Sequence, residues 1–165
     1  MTRICPRAVF AAVAAMATVA LAAAYYLQHE KGMAPCPYCV LQRYAYFGMI
    51  AWAAVAWLDT RRALWHGAGT AAVAALGLGL ALWQLTRGPS MTSCGVDPVG
   101  ELVNGSPFAR AWPGMFLAEG SCADRALVAG VPLALASALL FLVLGVAAAW
   151  AARARRIRAA PVLAR

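Results

Sequence analysis

The chain has 165 residues, of which 64% are hydrophobic and only 12% are charged, and its mean hydropathy is +0.70. A water-soluble domain has about 25% charged residues, so this composition excludes an ordinary soluble surface. The net charge of +8 does not indicate nucleic-acid binding, because the basic residues are distributed as the orientation of a membrane protein requires.

The predicted elements, in chain order, are four membrane-spanning helices. A spanning helix needs about 20 mainly apolar residues. Four stretches meet or nearly meet this length, at approximately 8–28, 40–58, 64–86 and 127–151. The second is short unless its helix extends back through Arg43 toward Cys39, which would place an arginine at the bilayer boundary. We therefore predict an all-α integral membrane protein, a single-domain four-transmembrane-helix bundle with a long second outer loop.

The first stretch also has features of a signal peptide. Arg3 and Arg7 precede it, and the alanines at 22–24 resemble a cleavage site. Its apolar run is longer than the usual signal core of about 7–15 residues. Cleavage would leave three spans and reverse the charge bias at the C-terminus, so we expect this helix to be retained.

The distribution of basic residues predicts the orientation. With four spans, one side carries nine arginines against one acidic residue, Asp59, and the other carries five basic and five acidic residues. Lys and Arg in short connections favour the cytoplasmic side. Both termini and the 59–66 connection are therefore predicted to be cytoplasmic. The loops at about 29–39 and 87–126 are predicted to lie outside.

The segment 91–123 is the longest polar stretch and is rich in Gly and Pro, so we predict a loop. Within it, apolar residues between Phe108 and Leu117 surround Arg110. Such a mixture is typical of a short segment lying on the membrane surface. A small hydrophobic plug against the helix ends is an equally good interpretation.

Two cysteines form the motif Cys36-Pro37-Tyr38-Cys39. Pro37 suits the first turn of a helix, where its missing N–H costs nothing. Cys39 would then lie in a first turn, where unpaired N–H groups and the helix dipole favour a thiolate. Arg43 shares a helix face with both cysteines and would add positive charge beside them, unless it only extends to the lipid headgroups.

Several chemistries of a Cys-x-x-Cys pair can be compared. Zinc usually needs four ligands, and His29 is a lone candidate nearby, so no metal site is predicted. Haem attachment requires a histidine directly after the second cysteine, where the chain has Val40. Iron–sulfur clusters fit the number of cysteines but not their spacing. Thiol–disulfide exchange needs only two adjacent sulfurs and a lowered pKa, and both are indicated.

Cys94 and Cys122 lie near the two ends of the polar loop, on the predicted outer side, where disulfides can persist. A bridge between them would be either a structural staple of a long loop or an exposed, mobile disulfide that exchanges electrons. Cys5, near the predicted cytoplasmic face, is interpreted as an interfacial thiol without a special role.

These motifs resemble the DsbB family of bacterial inner-membrane proteins. The resemblance rests on the Cys36 to Cys39 motif with Arg43 and the following Tyr-Phe-Gly at 46–48, and on the segment 120–125 around the last cysteine. It extends over most of the chain, including the four predicted spans, the cytoplasmic termini and the long second outer loop.

The resemblance implies a membrane thiol:quinone oxidoreductase that reoxidises a periplasmic DsbA-type dithiol oxidase. The implied disulfides are Cys36–Cys39 and Cys94–Cys122. Cys94 would be attacked by the partner's thiolate, and Cys122 would pass the electrons to Cys36. Cys39 and Arg43 would contact the bound quinone, with ubiquinone favoured over menaquinone. The implied location is the bacterial inner membrane, where the quinone pool and the lipid bilayer are further partners.

Two alternatives stay open. A quinone reductase of the vitamin K epoxide reductase type also combines four helices with a Cys-x-x-Cys pair, but usually late in the chain, whereas Cys36 comes early. A membrane scaffold with structural disulfides would leave Cys36 and Cys39 unbonded to each other and would tolerate replacement of Arg43. The loop between Phe108 and Ala118 matches no family motif closely, so a specialised soluble partner is also compatible with the sequence.

Overall fold

The computed structural model describes residues 5–59, 62–87, 98–121 and 127–159. The long helices in these ranges are α1 (Pro6–Glu30), α2 (Pro37–Leu58), α3 (Ala63–Arg87) and α7 (Leu133–Ala159). Between α3 and α7 come the short elements α4 (Pro98–Asn104), α5 (Pro107–Ala111), α6 (Pro113–Phe116), β1 (Leu127–Val128) and β2 (Val131–Pro132). The described chain is thus mostly helical, as predicted.

Three helices in the described ranges are long and apolar enough to cross a membrane: Pro6–Glu30, Leu64–Thr86 and Leu133–Ala154. They are consistent with the predicted all-α membrane protein. The remaining long helix, α2, has 22 residues and is about 33 Å long at 1.5 Å per residue. It is not among the three because Gln42 and Arg43 make its first half more polar.

Proline marks the start of most helices. Five of the helices in the described ranges, α1, α2, α4, α5 and α6, begin at a proline, whose fixed φ and missing N–H suit the first turn. Between α1 and α2 the chain turns at Gly32, whose φ of 62° favours glycine. The start of α2 at Pro37, directly after Cys36, agrees with the sequence-based expectation.

The four long helices pack through small residues. α3 contacts α2 and α7, and α1 also contacts both of these helices. Ala81 of α3 and Ala148 of α7 are fully buried, and such small side chains let helix backbones approach closely. Phe141 of α7 fills the space between the helices, and its ring stacks on Tyr46 of α2 with 4.2 Å between centroids.

The start of the last long helix differs from the expectation. The predicted span began near residue 127, whereas α7 begins at Leu133. Residues 127–132 instead form the β1–β2 hairpin, closed by Ala129 and Gly130 with φ of 50° and 81°. Two consecutive positive φ values are typical of a type I′ turn. A short apolar hairpin and a helix have similar composition, so hydropathy could not separate them.

Helices α4 to α6 fold against the first half of α2. Met115 and Phe116 of α6 are buried, and Phe116 stacks on Tyr44 of α2 with 4.7 Å between centroids. Phe108 and Trp112 remain 56% and 47% exposed. The interpretation of this segment as a hydrophobic plug therefore describes α6. The exposed rings of Phe108 and Trp112 provide the apolar surface that a segment lying on the membrane would need.

The packing of α3 on α7 makes Gly77 sensitive to substitution. A Cβ atom at Gly77 would collide with the ring of Phe141, whereas one at Gly79, on the opposite side of α3, would meet no atom within 4 Å. We predict that Gly77→Ala lowers the free energy of unfolding in detergent by about 1–3 kcal/mol, the usual cost of overpacking. Gly79→Ala is the matched control and should be neutral or slightly stabilising. Equal thermal unfolding of the two variants would contradict this packing.

Candidate dithiol site

Cys36 and Cys39 lie together at the start of α2. Cys36 immediately precedes the helix, and its sulfur accepts a hydrogen bond from the backbone N–H of Cys39 at 3.4 Å. The two sulfurs, called the dithiol below, are 3.0 Å apart, and Cys36 Sγ donates to Cys39 Sγ. Cys36 is only 3% exposed. Formation of the expected disulfide would require only a small movement of the two sulfurs.

Two glutamines that sequence reasoning missed complete the surroundings of the sulfurs. Gln84 of α3 donates from Nε2 to Cys36 Sγ at 3.3 Å and to Cys39 Sγ at 3.2 Å. Gln42 of α2 donates from Nε2 to Gln84 Oε1 at 2.7 Å. The sequence offered one signal for Gln84, since it is an amide near the end of the apolar stretch 64–86. An amide buried between membrane helices usually forms hydrogen bonds from one helix to another.

Arg43 is buried one turn after Cys39 on α2. It is 5% exposed. Its Nη1 donates to Gln28 Oε1 and to the carbonyl oxygen of Met115, both at 2.7 Å, and its Nη2 donates to the carbonyl oxygen of Ala24 at 3.5 Å. The guanidinium therefore points into the protein, which excludes the interpretation that it only extends to the headgroups. It joins α1, α2 and α6 beside the dithiol.

A cavity of about 230 Å³ lies beside Cys39 and Arg43. Its walls come from α1, α2, α3, α7 and the linker before Cys36, and most of them are apolar side chains. Polar side chains reach it at Cys39, Gln42, Arg43, Tyr46, Gln84 and Ser137. Tyr46 Oη and Ser137 Oγ are hydrogen-bonded at 3.1 Å. An apolar cavity with a few convergent polar groups is the usual form of a small-molecule site.

The surroundings of Cys39 favour its thiolate. The side-chain hydrogen bond with Cys36 is the largest cause that lowers the pKa of Cys39 from 9.0 to about 6. Burial raises this pKa, whereas the Gln84 amide and the charge of Arg43 lower it. Cys39 lies in the first turn of α2, ahead of the apolar segment 40–58. A thiol that is ionised near neutral pH is a ready nucleophile.

Of the other residues singled out from the sequence, the structure describes Cys5 and His29 but not the second cysteine pair. Cys94 and Cys122 lie outside the described residues. Cys5 is exposed and precedes the first turn of α1, and His29 stacks on Tyr25 near the end of that helix, with 4.0 Å between ring centroids. Within the described ranges, no three His, Cys, Asp or Glu side chains lie close enough to hold a metal ion.

The fold and the site define a class of protein: a multi-pass membrane protein with a partly buried dithiol where one of its helices begins. The family model of Disulfide bond formation protein DsbB matches residues 6–151, a range that includes the dithiol and most of α7. The chain belongs to the DsbB family. The resemblance inferred from the cysteine motifs is thereby confirmed.

Curated relatives agree with this assignment. The chain is 37% identical over 118 residues to Disulfide bond formation protein B of Cupriavidus necator, covering 70% of the chain and 73% of the relative. It is 35% identical over 144 residues to the protein of the same name from Ralstonia nicotianae, covering 84% and 88%. The corresponding values for Herminiimonas arsenicoxydans are 39% over 118 residues, 70% and 75%. No solved structure matches the chain.

The low pKa of Cys39 predicts fast alkylation of the reduced protein at neutral pH. With a pKa of about 6, most of the thiol is ionised at pH 7. The rate should fall about tenfold between pH 7 and pH 5, because the thiolate is the reactive form. Mass spectrometry of the Cys39 peptide after treatment with a small membrane-permeant reagent measures this rate. A rate that instead rises severalfold from pH 7 to pH 8, as for an unperturbed thiol, would contradict the site geometry.

Proposed function

We propose that the protein is a membrane thiol:quinone oxidoreductase, which reoxidises a periplasmic DsbA-type dithiol oxidase and passes the electrons to a quinone. One observation carries the proposal: the dithiol adjoins an apolar cavity that Arg43 also lines. The proposal places four spanning helices, including α2, in the bacterial inner membrane. Both termini are then cytoplasmic, and the dithiol lies at the periplasmic end of the bundle.

The charges at the two ends of the bundle support this orientation. Arg7 of α1, Arg62 before α3 and Arg153 of α7 are at the end opposite the dithiol. Basic residues in such positions favour the cytoplasmic side. The other end carries the dithiol and α4 to α6, and disulfide chemistry can be sustained in the periplasm.

The residues of the cavity fit a quinone head group. A bound quinone supplies an acceptor for two electrons and two protons, which the dithiol releases when it becomes a disulfide. Alanine and leucine side chains of α1 and α7 would hold the flat ring and the start of its apolar tail. Arg43 would hold a ring oxygen through its charge, and Tyr46 would offer an O–H about one turn further into the bundle. Ubiquinone, which the family resemblance favours over menaquinone, is the quinone expected here.

The proposed relay moves one electron pair through two disulfides. A thiolate of the soluble partner attacks Cys94, forms a mixed disulfide and releases Cys122 as a thiolate. The partner's second thiol then displaces Cys94 and completes the partner's disulfide. Next, Cys122 attacks Cys36, which breaks the Cys36–Cys39 bond and leaves the electron pair on Cys39. Cys94 finally displaces Cys36 from Cys122, which restores the Cys94–Cys122 disulfide and leaves Cys36 and Cys39 reduced.

The segment 98–121, which the proposal places outside the membrane and which is called the outer segment below, ends beside Cys36. The backbone N–H groups of Glu119 and Gly120 both donate to the carbonyl oxygen of Pro35, at 3.1 and 3.0 Å. Pro35 directly precedes Cys36, and Cys122 follows Gly120 by two positions. These contacts support the proposed transfer of electrons from Cys94 and Cys122, called the loop pair below, to the dithiol.

Turnover of the purified protein tests the proposed function. When it is mixed with a reduced DsbA-type oxidase and ubiquinone, we expect catalytic loss of the quinone absorbance. Cys39→Ser should abolish turnover, because the disulfide can no longer form. Arg43→Ala should raise the KM for quinone about tenfold or more, whereas Arg43→Lys, which keeps a charge, should lose less. Absence of turnover with any soluble dithiol would instead favour a membrane scaffold with structural disulfides.

Gly120→Ala should impair electron transfer from the loop pair to Cys36 without changing the reactivity of Cys39. A Cβ atom at Gly120 would collide with the carbonyl oxygen of Ala34, so the substitution should displace the end of the outer segment. We expect partner-dependent turnover to fall about tenfold or more, because a small misplacement of reacting groups is costly. The alkylation rate of Cys39 should stay unchanged.

The matched control is Gly114→Ala. Its Cβ would make only a 3.3 Å contact with the side chain of His29, which can move aside. This variant should turn over like the wild type. If Gly120→Ala also retained full turnover, the proposed approach of the loop pair to Cys36 would be wrong.

A further inference from the structure

Gln42 and Gln84 connect α2 to α3 directly beside the dithiol. Gln42 is 5% exposed, and its Nε2 donates to Gln84 Oε1 at 2.7 Å. Gln84 directs its own Nε2 at both sulfurs, 3.3 Å from Cys36 and 3.2 Å from Cys39. Buried amides need hydrogen-bond partners to offset the cost of leaving water. Here the sulfurs of the dithiol are among those partners.

The Gln42 amide determines which way the Gln84 amide faces. A glutamine side chain has an acceptor oxygen and a donor NH2 group. Because Gln42 donates to the oxygen of Gln84, the NH2 group of Gln84 faces the sulfurs. An inverted Gln84 amide would place two NH2 groups against each other and a carbonyl oxygen against a thiolate, and both contacts are unfavourable.

The guanidinium near the dithiol is directed elsewhere. Arg43 donates to oxygens of Gln28, Met115 and Ala24. Its charge acts on Cys39 through space. Gln84 of α3, in contrast, donates directly to both sulfurs. The amide and the arginine therefore have separate effects on the same thiolate.

We propose that Gln84 is a catalytic residue that holds the Cys39 thiolate during electron transfer, and that Gln42 is the positioning residue that keeps the Gln84 donor aimed at it. The inference rests on the proposed function and adds two residues to it. When an attacking thiolate forms a new bond to Cys36, the Cys36–Cys39 bond breaks and the electron pair stays on Cys39. The Gln84 N–H then stabilises this anion.

An amide suits this task for two reasons. It does not give up its proton at accessible pH, so it stabilises the thiolate without converting it back to a thiol. It also has two N–H bonds, which match the two sulfurs, and either sulfur can be held as the disulfide opens or closes. Hydrogen bonds to a charged group are stronger than those to a neutral one, so the amide favours the reduced, ionised state over the disulfide.

Three substitutions test the proposal in reduced, purified protein. Gln84→Met removes the donor while keeping a side chain of similar length. Gln84→Glu is nearly isosteric and can still accept from Gln42, but it places a carboxylate against the thiolate. Gln42→Met leaves Gln84 in place without its orienting partner. Thr86→Val is the matched control on α3, because the Thr86 hydroxyl is exposed and donates only to carbonyl oxygens of its own helix.

The main readout is the pH profile of Cys39 alkylation, which does not depend on quinone. We expect Gln84→Met to raise the midpoint by about one pH unit, a tenfold loss of thiolate preference, and Gln84→Glu to raise it further. Gln42→Met should give a smaller rise, and adding it to Gln84→Met should have no further effect. Thr86→Val should match the wild type. In a glutathione redox titration, Gln84→Met should shift the equilibrium about tenfold toward the disulfide.

A purely structural role for the two glutamines predicts a different result. It would lower the thermal stability of the variants but leave the alkylation midpoint and the glutathione equilibrium unchanged, and this outcome would overturn the proposal. If Gln84→Met does not fold, the nearly isosteric Gln84→Glu still tests the proposal through its alkylation midpoint. Failure of the wild type to reduce any quinone would overturn the proposed function, whereas the alkylation profiles would still decide the role of Gln84.

Discussion

The burial of Arg43 is the constraint on which the site depends. A guanidinium in an apolar bundle is tolerated only when its donors are satisfied, because an unpaired buried charge costs several kcal/mol. The oxygens that satisfy it belong to Gln28 and Ala24 of α1 and to Met115 of α6. The end of α1, the start of α2 and helix α6 must therefore meet in one arrangement. The same arrangement places Cys39 on the wall of the cavity.

Two kinds of group act on the sulfurs of the dithiol: a neutral amide that contacts them and a charged guanidinium that lies further away. The amide of Gln84 contacts the sulfurs directly, while the arginine lies one turn further along α2 and is bonded to backbone and side-chain oxygens. Neither the amide nor the guanidinium gives up a proton readily, so both groups stabilise the sulfur in its ionised form. Small apolar side chains on the other walls keep the cavity suitable for a lipid-soluble electron acceptor, which supports the proposal of a quinone.

Much of the architecture could be predicted because it depends on local properties. The extents of α1 and α3 followed from apolar runs, and Pro37 correctly placed the start of α2. The hairpin at 127–132 was missed, since a few apolar residues around an Ala-Gly turn resemble the beginning of a span in composition. The membrane crossing of α2 stays a prediction, because Gln42 and Arg43 lower the hydropathy of its first half.

The sequence by itself determined the membrane class, the start of α2, the cysteine motif and the family, because these depend on transfer free energies and on residues close together in the chain. Only the tertiary structure decided that Arg43 is buried, that Gly120 returns to Pro35, and that a glutamine on α3 faces the dithiol. Gln42 and Gln84 are 42 positions apart. No periodicity relates such residues, because their contact depends on how two antiparallel helices are rotated and shifted against each other, and packing across the whole bundle sets that geometry.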